Sequence, residues 1–294
     1  MAKTATRVQP PERTIEHRED YFRAKDKTRL YWQSWRPAGD SRAAVLLVHG
    51  WKDHGARYAR EAEAFARRGY AVYVADLRGH GRSGGPPVLV TSFDEYLADL
   101  DLFLELVRGA EPGRPIFLLG HSLGGAIAAL FVQSRRPEIR GLVLSAPALK
   151  PGPSVSPARV GVTRAFGRAL PKLNLLKMRN TDFSRDPAVV ESMDSDPLIH
   201  QDVGPARTSA ELLKAMASIR GGADRMDAPM LLLHGSADPL TSPEGSRELH
   251  RTAHSADKTL KIYDGAYHDL FHEPEREQVL ADVLGWLDER VPLG

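Results

Sequence analysis

The chain has 294 residues, of which 42% are hydrophobic and 27% are charged, an ordinary composition for a soluble globular protein. This length suits one large α/β domain or two smaller ones. A net charge of +2 gives no reason to expect a nucleic-acid partner. Because the chain has no cysteine, disulfides, thiolate metal sites and cysteine nucleophiles are excluded.

The amino terminus has no apolar core that could serve as a signal peptide, and the longest apolar runs are too short to cross a bilayer. We therefore expect a soluble cytoplasmic protein, and disorder over about the first 15 residues.

Short β-rich runs alternate with helical patterns along most of the chain. This alternation is typical of the α/β class, in which helices flank both faces of a mostly parallel central sheet. Helices are predicted from apolar spacing at residues 57–69, 93–109 and 124–137. Buried strands are predicted at 43–50, at the start of 71–85, and at 115–120, 141–147, 229–235 and 260–265.

Residues 148–226 break this alternation. They are proline-rich at first, then basic and helical, and they contain no clear strand. Structureless loops of this length are rare in compact domains, so the sequence predicts a helical cap inserted between two strands. The predicted organisation is a core of residues 1–147 and 227–294 with a cap at 148–226.

Residues 115–130, which read PIFLLGHSLGGAIAAL, place Ser122 between a predicted strand and a predicted helix. Gly120 and Gly124 complete a G-x-S-x-G pattern, which in this setting predicts a nucleophile elbow. The following helix would direct backbone N–H groups and its positive end at a developing negative charge. The alternative is a small residue in a glycine-rich loop.

A serine hydroxyl needs a base to take its proton, and the chain order expected on such a fold is Ser, Asp, His. Asp238 and His268 each follow a predicted strand, at the sheet edge where sites of open α/β folds assemble. Asp238 could instead serve only as a helix cap or Asx turn. His272 is the alternative base.

Several nearby polar residues are expected to be structural. Asp264 and Asp269 are interpreted as solvated loop residues, and the side chain of His121 is expected to point away from the serine. Three further histidines lack the spacing or the carboxylate partners of a metal site, so no metal is expected; they are His54, His80 and His234.

Acyl transfer also needs donors for the tetrahedral oxyanion. The backbone N–H of Leu123 should be one donor, and that of Trp51, in the loop after residues 43–50, should be the other. An ordinary strand-to-helix turn is the alternative interpretation of that loop.

With these residues in place, the sequence resembles the α/β-hydrolase superfamily, and within it the monoacylglycerol lipase and lysophospholipase group of serine aminopeptidase S33-type hydrolases. The resemblance runs from about Arg23 to Trp286. Its motifs are HGWKDHGARY, DLRGHGRSGG, GHSLGG, SRDPAVVESMDSDPLIH, HGSADPLTSP and KIYDGAYHDLFHEPER. It implies a serine hydrolase without a cofactor that cleaves the ester of a lipid with one acyl chain, most commonly a monoacylglycerol, beneath a cap that forms an apolar tunnel.

The resemblance also implies substrate-binding roles. Asp53 and Arg57 stand where relatives line the polar end of the pocket, although a structural salt bridge is the alternative. Met193 stands where relatives often carry a tyrosine that can hydrogen-bond the alcohol. A thioether cannot donate such a bond. Trp51 and Lys52 replace residues that are often small, so a strict preference for glycerol is in question.

The cap segment 160–179 mixes aliphatic residues with cations, so that its apolar face could rest transiently on a lipid surface; the cations are Arg164, Arg168, Lys172 and Lys177. The alternative is a cap helix packed on the core with its charges in water. Rival functions are a broad carboxylesterase, a lysophospholipase or a thioesterase on the same triad, and a receptor that keeps the fold with little turnover.

Overall fold

The central parallel strands form because short runs of apolar residues are buried along nearly their whole length. In the computed structural model, which describes residues 14–153, 155–176, 178–201 and 204–291, strands such as AAVLLV are fully buried, as expected when helices cover both faces of a sheet. The main sheet consists of β1 (Ile15–Arg23), β2 (Arg29–Pro37), β3 (Ala43–Val48), β4 (Tyr70–Ala75), β5 (Ile116–His121), β6 (Gly141–Ser145), β9 (Met230–Gly235) and β10 (Lys258–Tyr263).

The strand order in this sheet is β1-β2-β4-β3-β5-β6-β9-β10. Strand β2 is antiparallel to both of its neighbours, and the pairings from β4 to β10 are parallel. The α/β fold class is confirmed. Because parallel strands point the same way, the loops after β3, β5, β9 and β10 leave the sheet at one edge.

Helices cover the sheet on both faces, and successive strand residues supply each side. Leu46 belongs to an apolar cluster with residues of α2 (Asp94–Ala110) and α3 (Leu123–Arg135). Leu47 belongs to a second cluster with residues of α1 (Ala59–Arg67) and α8 (Arg276–Asp288). Helix α7 (Pro243–Thr252) follows β9.

Residues 148–226, which we call the insertion, lie between β6 and β9 in the chain. Their helices are α4 (Pro157–Ala169), α5 (Pro187–Ser195) and α6 (Ala206–Gly221). The expectation of no strand here is wrong, because β7 (Asn174–Leu176) and β8 (Gly204–Pro205) form a small antiparallel pair. Helix α6 attaches the insertion to the core, since Met216 and Ile219 join the cluster around α3.

The two amino-terminal strands were not predicted. β1 has the sequence IEHREDYFR, which shows no alternation of apolar and polar residues, and none of its residues is buried. Disorder was expected over about the first 15 residues, and the first 13 of these lie outside the described part of the chain. Within the described part, no helix is both long and apolar enough to span a membrane.

Candidate active site

The nucleophile elbow is a turn that only a particular set of residues can form. Ser122 joins β5 to α3 with φ 53° and ψ −116°, a backbone conformation that costs energy for any residue with a Cβ. A Cβ at Gly120 would lie 2.4 Å from the Gly124 carbonyl oxygen, and one at Gly124 would lie 2.1 Å from the Val48 oxygen. The two glycines therefore allow the close approach of β3, β5 and α3 that places the serine at the carboxyl ends of the strands.

The structure brings the three residues of the predicted triad together from three separate loops. His268 Nε2 lies 2.7 Å from Ser122 Oγ, and His268 Nδ1 lies 2.7 Å from Asp238 Oδ2. Because a carboxylate can only accept, Nδ1 carries the proton and Nε2 is left to accept the serine proton. All three residues are buried.

Asp238 is held as an anion by several donors. Its Oδ1 accepts from the backbone N–H groups of Leu240 at 2.8 Å and Thr241 at 3.0 Å, and its Oδ2 accepts from Thr241 Oγ1 at 2.8 Å. Burial alone would raise the pKa of Asp238, but its interactions with His268 and His234 outweigh burial and lower that pKa below its usual range. The carboxylate stays charged and keeps the imidazole in the required tautomer.

His234 is a site residue that sequence reasoning missed. Its Nε2 lies 3.1 Å from Asp238 Oδ2, and its Nδ1 lies 2.8 Å from Ser246 Oγ. From the sequence, this histidine was considered only as a metal ligand, and its contact with the catalytic carboxylate was not identified. The spacing of His234 and Asp238 in HGSAD, which places both at the carboxyl end of β9, was the available signal.

The two predicted oxyanion residues both lie close to the nucleophile. Leu123 is the first residue of α3, so its N–H is one of the free donors at a helix start. Trp51 follows β3, and the chain before it passes close to the elbow, since a Cβ at Gly50 would lie 3.1 Å from Ser122 Cβ. Trp51 and Leu123 line the same cavity as Ser122 and His268.

This cavity has a volume of about 540 Å³, within the range of small-molecule sites. Its walls are mainly aliphatic and are contributed largely by the insertion. The apolar lining includes Val160, Val162, Met178, Leu212, Leu213, Met216 and Leu240. A buried nucleophile therefore faces an apolar chamber.

Asp53 and Arg57 do not line the cavity but belong to a buried network beside it. Arg57 Nη1 lies 3.0 Å from Asp53 Oδ1, and Arg57 Nη2 lies 2.9 Å from Asp269 Oδ2. Tyr58 donates to Asp53 Oδ2 at 2.9 Å. With its carboxylate oxygens and guanidinium engaged inside the protein, the pair takes the structural arrangement that was the alternative to substrate binding.

The same network corrects the expectation that Asp269 is solvated. Asp269 is fully buried, and His272 Nδ1 lies 2.8 Å from its Oδ1. Burial would raise the pKa of Asp269, but His272 and Arg57 lower it well below its usual range. Asp264 is exposed, as expected, and accepts from Ser236 Oγ at 3.0 Å.

His272 is unsuited to act as the base. Its Nδ1 faces Asp269, and its Nε2 lies 3.0 Å from the Arg57 carbonyl oxygen. Since both partners only accept, both ring nitrogens carry protons. Burial lowers the pKa of His272, but Asp269 outweighs it and the pKa is raised.

His121 packs against the triad and is not remote from it. Its ring centroid lies 5.0 Å from that of His268, and burial lowers the pKa of His121 to about 4. The ring is therefore neutral at physiological pH and adds no charge beside the base.

Met193 is buried in a small cluster with Phe183 and Ile199. It is absent from the described residues that line the cavity, where only Phe183 represents this cluster. The structure thus places Met193 behind the cavity wall.

In the described part of the chain, no group of three or more histidine, aspartate or glutamate side chains could hold a metal ion.

The chain is similar to known hydrolases along most of its length. The sequence profile described as "Serine aminopeptidase, S33" matches residues 39–275. The chain is 35% identical over 269 residues to a monoacylglycerol lipase of Mycolicibacterium smegmatis, covering 92% of this chain and 96% of the relative. It is 34% identical to the monoglyceride lipase of Rattus norvegicus, covering 89% and 88% of the two chains.

A similar architecture has been solved in a relative. The crystal structure of a monoacylglycerol lipase from Paleococcus ferrophilus superposes with a TM-score of 0.79 at 31% sequence identity. The match covers 94% of this chain and 99% of the other.

Proposed function

The chain belongs to the serine aminopeptidase S33 family of α/β-hydrolases, and on this premise we propose that it hydrolyses monoacylglycerols to a fatty acid and glycerol. It is a carboxylic ester hydrolase by family. The observation that supports the proposed substrate is the combination of the Ser122–His268–Asp238 arrangement with an apolar cavity directly above the serine.

In the proposed reaction, His268 Nε2 takes the proton of Ser122 Oγ while Oγ attacks the ester carbonyl. The resulting oxyanion is stabilised by the backbone N–H groups of Trp51 and Leu123. When the carbonyl re-forms, the C–O bond to glycerol breaks and the leaving oxygen takes the proton from His268. The same histidine then activates a water that releases the fatty acid and restores the serine.

The insertion is proposed to act as a lid that selects a single acyl chain. Leu212, Leu213 and Met216 of α6 and Val160 of α4 line the cavity, and none of these side chains can donate a hydrogen bond. Burial of an alkyl chain against them is favourable by about 0.8 kcal/mol per methylene. A polar or highly branched acyl group would lose this favourable free energy of burial.

The test begins with covalent labelling by a fluorophosphonate in the wild type and in Ser122→Ala. Labelling that is lost in the variant supports a serine hydrolase, and an unlabelled wild type would point to a receptor with little turnover. Rates are then compared across monoacylglycerols, lysophospholipids, acyl thioesters and short p-nitrophenyl esters. Monoacylglycerols with long chains should give the highest kcat/KM.

A broader carboxylesterase is the second candidate, and two observations favour it. The large indole of Trp51 lines the cavity next to the nucleophile, and Met193 lies behind the cavity wall, where its thioether cannot donate a hydrogen bond to a bound alcohol. Equal kcat/KM values for glycerol esters and simple alkyl esters of the same acyl chain would favour this candidate over the first.

We also propose that the insertion makes transient contact with a lipid surface. Four large apolar side chains at its outer face are between 38% and 51% exposed: Val162, Phe166, Leu170 and Leu173. Val162 also lines the cavity, so a lipid that meets this face is at the entrance to the site. Exposed apolar residues grouped in this way mark interaction surfaces.

A vesicle experiment tests this contact. Co-sedimentation with phosphatidylglycerol vesicles should fall in Phe166→Ser and Leu170→Ser but not in Tyr21→Ser, which removes an exposed aromatic ring on β1. Equal binding by all three variants would contradict it. Lys172 is exposed beside this face, whereas Lys177 and the side chains of Arg164 and Arg168 lie outside the described part.

A further inference from the structure

Lys52 is an unusual residue at the position it occupies. It follows Trp51 in the loop after β3, where its φ of 61° is one that glycine adopts without cost and other residues adopt at about 1–3 kcal/mol. Its side chain is also buried, which lowers the pKa of Lys52, with Asp194 opposing part of that shift. Two costs therefore coincide at one residue, and something must offset them.

The described hydrogen bonds of the Lys52 ammonium group both go to the insertion. Nζ donates to Asn180 Oδ1 at 2.7 Å and to the Met178 carbonyl oxygen at 3.4 Å. Asn180 is fixed in turn, because its Nδ2 donates to Asp194 Oδ1 at 2.6 Å and to Gln201 Oε1 at 3.1 Å. The ammonium group is thus held by an acceptor that cannot easily move.

Residues 178–185, which we call the bridge segment, continue from this contact to the loop of the catalytic histidine. The Phe183 ring lies 5.6 Å from the His268 ring, and the Phe183 carbonyl accepts from the Asp269 N–H at 2.8 Å. Arg185 Nε lies 2.7 Å from Glu273 Oε2. One end of the bridge segment therefore holds Lys52 and the other end holds the loop that carries His268.

We propose that Lys52 is a positioning residue that couples the loop of the oxyanion amide at Trp51 to the histidine loop through the bridge segment. Its ammonium group fixes the strained loop in one orientation relative to Ser122 and His268. The proposal rests on the oxyanion role proposed above for Trp51. It adds a physical reason for a lysine at this position and gives the insertion a part in assembling the site.

The test compares Lys52→Met, which keeps the apolar stem but removes the ammonium group, with Asn180→Leu, which removes its acceptor. Each should lower kcat and the fluorophosphonate labelling rate by about 10- to 100-fold, because small displacements of catalytic donors have effects of this size. KM should change by less than about threefold if the change lies in the transition state.

Three comparisons make the outcome decisive. The double variant should be no slower than the slower single variant, because residues that act through one contact are not additive. Lys52→Arg should recover most of the labelling rate. Lys214→Met, which changes an exposed lysine on α6, should match the wild type.

Unchanged kcat and labelling rate in folded Lys52→Met would overturn the proposal, as would an effect confined to KM or additive effects of the two single variants. The labelling rate depends on the oxyanion site whichever ester is the substrate. If the wild type is labelled but turns over no monoacylglycerol, the proposed substrate fails, and the comparison of labelling rates still decides the role of Lys52.

Discussion

Two of the buried aspartate–histidine pairs in the described part of the chain contain neighbouring residues, and only one of these two pairs has a histidine that can act as a base. In the first, His268 lies 2.7 Å from Asp238, and in the second, His272 lies 2.8 Å from Asp269. The other nitrogen of His268 faces the Ser122 hydroxyl, whereas that of His272 faces a backbone carbonyl oxygen. The difference lies in what the second nitrogen meets.

A perturbed pKa does not by itself identify a catalytic group in this protein. The pKa values of Asp238 and Asp269 are both lowered, which is common in functional sites but also in structural ion-pair networks. His272 faces two acceptors, so both of its ring nitrogens carry protons. His268 faces one acceptor through Nδ1, so its Nε2 can take a second proton. Access to the cavity completes the distinction, since His268 lines it and His272 is absent from the described lining.

The largest effect should come from Asp238→Asn, which breaks the first pair. An amide can donate to the imidazole and so favour the wrong tautomer, and we expect kcat to fall about 10⁴-fold. The measurement is kcat on a p-nitrophenyl ester together with the urea midpoint. Asp264→Asn, at an exposed position, is the control, and a loss of less than tenfold in Asp238→Asn would contradict the assignment of the pair.

Asp269→Asn, which breaks the second pair, should lower stability more than activity. Removing one partner of a buried ion pair costs about 3 kcal/mol or more in the free energy of unfolding, whereas the folded variant should label with fluorophosphonate within tenfold of the wild type. Glu63→Gln removes an exposed salt bridge to Arg67 and should cost less than about 1 kcal/mol. Equal stability of the two variants would show that the network is not structural.

The pH dependence of stability should sharpen the comparison. The lowered pKa values of Asp53 and Asp269 mean that their stabilisation is present above about pH 4 and is lost as the pH falls. The raised pKa of His272 means that its stabilisation is present below about pH 6.5 and is lost as the pH rises through that raised value. Urea unfolding across pH should show both losses in the wild type and reduced losses in Asp269→Asn; identical profiles would refute the linkage.

The smallest effect should come from Met193→Leu. This swap conserves volume, so it should cost less than about 1.5 kcal/mol of stability and leave kcat unchanged, because Met193 lies behind the cavity wall. Trp51→Ala, which enlarges the cavity beside the nucleophile, should instead alter relative rates across esters of different alcohols. A changed alcohol preference in Met193→Leu would place that residue at the substrate.

The fold and the triad could be predicted because the necessary information is local. Ser122, Asp238 and His268 each lie in a short motif directly after an apolar strand, and parallel strands bring such positions to one edge. The resemblance to the monoacylglycerol lipase group is confirmed by the family match and by relatives at 34–35% identity. The domain boundaries and the catalytic roles stay predictions until variants are measured.

The remaining features could not be predicted because they depend on partners far away in the chain. Asp269 is separated from Arg57 by 212 positions, and nothing in its neighbourhood indicates burial. Lys52 meets Asn180 across 128 positions. Strand β1 is identified by its pairing with β2, and β7 and β8 have three and two residues, too few for a periodic pattern.

The positive φ of Ser122 has a wider consequence. The strain belongs to the turn and is imposed by the glycines and strands around it, so any small side chain installed there would be presented in the same way. The position of the reactive group is thus set by the fold, whereas its chemistry is set by the single residue at position 122. Ser122→Cys would carry the only thiol in the chain, so a thiol-specific reagent would modify the protein at the elbow alone.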